Sequence, residues 1–181
     1  MGTTASAAAG AEPADRSAFH LPGHPLPALV ELASTDEQER KMDLFMTSLS
    51  RPILLTTFAA HGAPQLLALK EHLAQLRAHS PQLAVYGLST HTPAEQSQLA
   101  RELSLPFALL SDQHGELTRQ LELPSDRAGG AGSTADTPVQ YALRRGTMLL
   151  KEGQVTRLDY GITDPRDMGH RALELLRRDP S

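Results

Sequence analysis

Apolar positions along the chain change period several times, and each change predicts an element. Residues 52–58, "PILLTTF", form a short β-branched apolar run of the length expected of a central strand. From Pro64 the period shifts: Leu66, Leu69, Leu73 and Leu76 follow a 3-4-3 spacing that lines one face of a helix, and Pro81 follows its end. "QLAVYGLST" (82–90) predicts a second core strand. A helix after it is announced by Thr92 as N-cap, Pro93 at the first helical position and Glu95 where a capping box needs a carboxylate. "PFALLSD" predicts a third strand and "SDQHGELTRQLEL" a short helix. "VQYALRRGTMLL" and "QVTRLDYG" flank "KEGQ", a hairpin with Gly in its turn. Asp164 and Pro165 then open a last helix that buries Met168, Ala172, Leu175 and Leu176.

The flanks are less regular. Residues 1–20 are small and polar and predict a disordered tail, leaving residues 21–181 as one domain. "MGTTAS" fits a myristoylation pattern, but an Ala-rich tail explains it more simply. Alternation from Leu26 to Leu32 predicts an extended lead-in or edge strand. "TDEQERKMDLFMTSLS" predicts a short helix with Met42, Leu44, Phe45 and Leu49 as its apolar set. Residues 124–138, "PSDRAGGAGSTADTP", have no apolar period and predict a mobile loop. Strand–helix alternation requires parallel crossovers and the hairpin adds antiparallel strands. The predicted class is therefore α/β, a central mixed sheet flanked by helices, with a C-terminal β-hairpin and helix.

Composition narrows the chemistry. Lys and Arg number 17 against 21 Asp and Glu, a net charge of −4 that argues against a nucleic-acid binder. No run approaches the roughly 18 apolar residues of a membrane span, and no basic start with an apolar core marks a secretory signal. The cytoplasm is the default location. The 181 residues include no cysteine, so disulfides, thiolate metal sites and thiol nucleophiles are all excluded.

The element order is that of the thioredoxin fold. "GHPLPALVEL", "GLSTHTPAEQSQLARELSLPFALLSDQHGELTRQLEL" and "LRRGTMLLKEGQVTRLDYG", in this order and spacing, resemble the peroxiredoxin branch of that fold, the alkyl hydroperoxide reductase/thiol-specific antioxidant (redoxin) family. The resemblance implies an active site in "FAAHGAPQ" (58–65), at the strand-to-helix junction, and places Arg145 on the family's active-site arginine. A thioredoxin-type alignment sets Gly62 and Gln65 on the two cysteines and retains Pro64. A peroxiredoxin-type alignment sets Thr57, His61 and Pro64 on the Pro, Thr and Cys positions. Neither supplies a sulfur. The resemblance also makes a homodimer compatible with the chain.

Other residues offer less. His61 is the most reactive side chain of the loop, able to act as a base or hold an anion when charged, although an exposed loop His is the simpler reading. Thr56 and Thr57 present hydroxyls at the strand end, where bonding to backbone is the commoner outcome. The methionines read as core. The eight His lack ligand spacing, and Asp112, His114 and Glu116 read as a capped helix start, so neither a metal nor a cofactor is expected. The expected function is that of a peroxiredoxin-like protein without thiol peroxidase activity, acting by ligand or protein binding. Its site would take a small anion or a protein partner at the start of the Pro64 helix, with Arg145 facing it. The alternative is an enzyme of the oxidoreductase family, or one using His61 and Arg145 in cysteine-independent chemistry.

Overall fold

The computed structural model describes residues 18–128 and 140–179. A seven-stranded mixed sheet runs in the order β2-β1-β5-β4-β3-β8-β9. Its centre is parallel: β3 (Ile53–Thr57), β4 (Ala84–Ser89) and β5 (Ala108–Ser111). The flanking strands are antiparallel, with β8 (Gly146–Lys151) and β9 (Gln154–Asp159) on one side, and β1 (Glu31–Ser34) and β2 (Lys41–Asp43) on the other. Every residue of β3 and β4 is buried, which is why both read as apolar runs rather than alternations.

Period-two geometry divides the core into two layers. Leu54, Val85, Leu109 and Leu149 face α2 (Ala63–His79) and α5 (Met168–Arg177), and α3 (Pro93–Glu102) packs on this layer through Leu99 and Ala100. Leu55, Tyr86, Leu110 and Leu150 face the other way, toward α1 (Leu44–Ser50) and α4 (Glu116–Leu121). The predicted stripe Leu66, Leu69, Leu73 and Leu76 is buried in full, as are Met168, Ala172, Leu175 and Leu176. The capping box at Thr92 and Glu95 forms in both directions. The β8–β9 turn places Glu152 at φ 53° and Gly153 at φ 78°, the pair of positive φ values a two-residue type I′ hairpin requires.

The flanks depart from the sequence expectations. Leu29 is exposed at φ 65°, which interrupts the alternation from Leu26 to Leu32. Only residues 31–34 form a strand there, and it lies inside the sheet between β2 and β5. Met42 belongs to β2, not to a helix, and the helix that follows leaves Leu49 largely exposed. Asp43 explains the switch, since its carboxylate caps α1 by accepting from the Met46 N–H. "VQYALRRGTMLL" is two strands rather than one. Its first part, β7 (Gln140–Leu143), pairs with β6 (Ser125–Ala128), a strand inside the stretch expected to be a loop. Residues 129–138 of that loop, Val139 after it, and residues 1–17 of the expected tail lie outside the described residues. Ala18 and Leu21 are fully buried, so core packing starts before residue 21.

Candidate functional site

The junction between β3 and α2 is built from the inside outward. Phe58 continues the β3–β4 ladder through its N–H to Leu88 O, 3.0 Å, and is itself buried. The chain then turns, with Gly62 N–H donating to Ala59 O, and α2 begins where Leu66 N–H meets Gly62 O. Gly62 is the N-cap without offering a side-chain bond. Pro64 lies in the first turn, where its missing N–H would lack a helical partner in any case.

Gly62 has no space for a side chain. A Cβ there would fall 2.6 Å from Phe58 Cδ2 and 2.9 Å from Phe58 Cβ. Phe58 has little freedom to retreat, because its ring stacks on His91 at 6.0 Å between centroids and lies over Gly87. Gln65, the other position set on a thioredoxin cysteine, points into the protein and is 1% exposed. Its Nε2 donates to Thr56 Oγ1 at 2.6 Å and to the Thr57 carbonyl at 2.7 Å. Thr56 Oγ1 donates in turn to Gly146 O at 3.1 Å, and Thr57 Oγ1 to Arg144 O at 2.7 Å. Both threonine hydroxyls are thus committed to backbone. The Tyr160 ring closes the floor over Gly146, where a Cβ would come within 2.5 Å of it.

Outside this plug the surface is open. Pro64 borders a shallow depression of about 500 Å³ with Thr163, Asp164, Pro165 and Arg166. Arg145 Nη1 donates to the Thr163 carbonyl at 3.0 Å and to Ile162 O at 3.4 Å. Asp164 caps the 3-10 turn Pro165–Asp167 and grips Arg166 with both carboxylate oxygens. The Arg166 guanidinium, the Arg166 N–H and, more weakly, Arg145 hold the Asp164 carboxyl below its ordinary range. His61 is exposed, with no hydrogen bond to any described residue.

Thr56, Thr57 and Gln65 are therefore gathered into one buried network, while Pro64 and Arg145 reach the segment 163–166 and His61 stands apart. Sequence reasoning missed Tyr160 and His91, and it missed the inward turn of Gln65. The available signal for Gln65 was its spacing: it falls one residue before Leu66, at the edge of the apolar face. Among the described residues no group of three or more His, Cys, Asp or Glu is placed to hold a metal ion, and no helix is long and apolar enough to cross a membrane. Asp112 is the buried anchor of α4, accepting from the N–H groups of Leu117 and Thr118 and from the Thr118 hydroxyl.

A parallel β3-β4-β5 core, a strand-to-helix junction, an arginine-bearing turn between β7 and β8, and a C-terminal hairpin with helix define a thioredoxin-fold protein of the peroxiredoxin kind. The chain belongs to the AhpC/TSA family, whose profile matches residues 22–157. It is similar in fold to the peroxidoxin BcpB of Mycobacterium tuberculosis, with a TM-score of 0.69 at 20% identity over 89% of this chain and 99% of that one. Peroxiredoxin Q of Xanthomonas campestris superposes with a TM-score of 0.68 at 16% identity, over 85% and 95% of the two chains. Reduced Prx3 of Vibrio vulnificus, solved in complex with H2O2, gives 0.63 at 16% identity, over 79% and 89%. No curated protein matches the chain.

Proposed function

We propose that this protein is a member of the AhpC/TSA family that does not reduce peroxides and acts by binding. The observation that carries this reading is the state of the β3–α2 junction. The two positions set on thioredoxin cysteines hold a glycine without room for a Cβ and a buried glutamine whose amide is bonded to Thr56 and Thr57. Peroxide reduction of the family type needs an attacking thiolate, and the sequence has no cysteine. Methionine does not replace it, because its sulfoxide requires a separate reductase.

The binding surface in this reading is the open side of the same junction. It takes a small anion or a carboxylate of a protein partner, near the start of α2 and the cations Arg145 and Arg166. Asp164 offsets part of that charge, so the affinity is weak and selective for anions that displace the Asp164–Arg166 pair. The reading that uses His61 and Arg145 as an enzymatic pair has no observation in its favour, since Arg145 is directed to the Ile162 and Thr163 carbonyls.

Two measurements test the proposal. Mixed with hydrogen peroxide and a dithiol, the protein is expected to consume peroxide no faster than buffer. Turnover above that level, abolished in Arg145→Ala, overturns the reading. Titration with sulfate or acetate is expected to shift the amide signals of His61, Gln65 and Thr163, and an unchanged spectrum removes the anion surface.

A further inference from the structure

We infer that His20 and His24 form a two-imidazole site for a late first-row divalent cation, with Cu2+ held most tightly. Spacing alone lends these histidines no metal pattern, but the structure brings their rings together, perpendicular at 87° with centroids 6.1 Å apart. Two successive turns do this: the Leu21 N–H donates to Ala18 O, and the His24 N–H to Leu21 O. The segment is anchored at both ends. Ala18 and Leu21 are buried in the core layer that holds Leu117 and Leu121 of α4, and the His24 carbonyl accepts from the Val155 N–H of β9. The pair thus lies on the layer across the sheet from α2, and it goes beyond the anion surface proposed above.

Hydrogen bonding fixes which nitrogen of each ring is bare. His20 Nε2 donates to the Leu121 carbonyl at 2.8 Å, and His24 Nδ1 donates to the Pro25 carbonyl at 2.9 Å. A carbonyl oxygen only accepts, so the bonded nitrogen carries the hydrogen in each case. The other nitrogen of the neutral ring, Nδ1 of His20 and Nε2 of His24, then holds a lone pair. Neither of these has a hydrogen-bond partner among the described residues. His20 is exposed and His24 half-buried, so a solvated ion reaches both. A histidine whose second N–H is held by a backbone carbonyl is the arrangement metal sites use, because that bond sets the tautomer, orients the ring and raises the basicity of the ligating nitrogen. Among the described residues no other two His rings are in contact.

The spacing admits one shared ion. With metal–nitrogen bonds of about 2.0–2.1 Å and about 1.1 Å from nitrogen to ring centre, two ligating rings have centroids about 4.5–6.4 Å apart as the N–metal–N angle opens from roughly 90° to 180°. The observed 6.1 Å falls in that range. Among the described residues no third His, Cys, Asp or Glu joins the pair, so water completes the shell. That is not the closed four-ligand cage of a structural Zn2+ site. Affinity at nitrogen ligands then follows the order of the divalent first-row metals, which peaks at Cu2+ with Ni2+ below it. Mg2+ takes oxygen ligands and is not expected to bind.

The test titrates the full chain with CuCl2, reading affinity by calorimetry and the ligand set by electron paramagnetic resonance. A saturable site with hyperfine structure from two imidazole nitrogens is expected. The His24 ring bonds only its neighbour's carbonyl, so His24→Ala removes a ligand without loosening the fold, and it is expected to weaken Cu2+ binding at least about tenfold. His20→Ala is expected to do the same. His170→Ala, which removes an exposed histidine on α5, is expected to leave binding unchanged. Undiminished binding by the His24→Ala protein, its loss in His170→Ala, or a spectrum with a single coordinated imidazole overturns the site. Peroxide turnover by the metal-free protein would overturn the binding-only reading and leave this site standing. Silence toward Cu2+ does the reverse.

Discussion

The junctions β3–α2 and β4–α3 use one device with different results. Each is a parallel strand running into a helix, and each helix sends a glutamine from its first turns back into the core. Gln65 donates to Thr56 Oγ1 and the Thr57 carbonyl, and Gln96 donates to Ser89 Oγ and the Leu110 carbonyl. At β3–α2 the space around the amide is filled: Phe58 occupies the volume a Gly62 side chain would need, and both threonine hydroxyls end on backbone. At β4–α3 a cavity remains, and of the two glutamines only Gln96 leaves a buried oxygen without a partner. In this molecule the interior of the β3–α2 junction is the closed one, and its neighbour is the one with unmet hydrogen-bonding capacity.

Replacing each glutamine by leucine probes the contrast most strongly. Gln65→Leu strips a paired amide and leaves the Thr57 carbonyl short of a donor, for an expected loss of about 2 kcal/mol in urea unfolding. Gln96→Leu also removes the orphan oxygen, so its loss is expected to be about half as large, near 1 kcal/mol. Equal losses would show that the two networks are equally satisfied. Gly62→Ala comes next. Its φ of −78° suits alanine, so the cost is the collision with Phe58, about 1–2 kcal/mol. A second change, Phe58→Leu, is expected to recover part of that cost in a double-mutant cycle, and full additivity would mean that Phe58 does not seal the junction. The smallest effect belongs to the caps. Thr92→Ala is expected to cost about 1 kcal/mol at neutral pH. The Glu95 carboxyl is held below its ordinary range by Thr92, so the folded state binds its proton less readily than the unfolded chain. The stability this contributes is present above the unfolded carboxylate pKa and is lost as pH falls through the folded one. The difference between wild type and Thr92→Ala should therefore narrow in acid, as read from paired unfolding curves at pH 7 and pH 3, and a gap independent of pH would dissociate Glu95 from the cap.

Elements with strong local signals were legible before any coordinates. The Leu66–Leu76 stripe, the Thr92 capping box and the Glu152–Gly153 turn depend on residues within a few positions of one another, and each formed where expected. Misreadings occurred where a distant partner decides. Met42 has helical spacing to Phe45 and Leu49, but strand β1 recruits it into a ladder. Residues 125–128 carry no strand pattern of their own and become β6 by pairing with residues 140–143, across the segment between them. The candidate site divided the same way. That residues 58–65 form a strand-to-helix loop without a thiol was evident from the letters alone. The inward turn of Gln65, and the reach of Arg145 to the carbonyls of residues 162 and 163, were not.

From its residue order alone, then, this chain settled its alternating elements, its membership in a thiol-peroxidase family and the loss of that family's nucleophile, because periodicity, capping and composition are local or additive properties. Tertiary structure alone decided that Gly62 is closed off by Phe58 and Gln65 is turned inward while Pro64 stays at the surface, and that an unmet acceptor sits one junction away at Gln96. Those outcomes depend on which surfaces meet across the sheet, and close packing makes them a matter of ångströms.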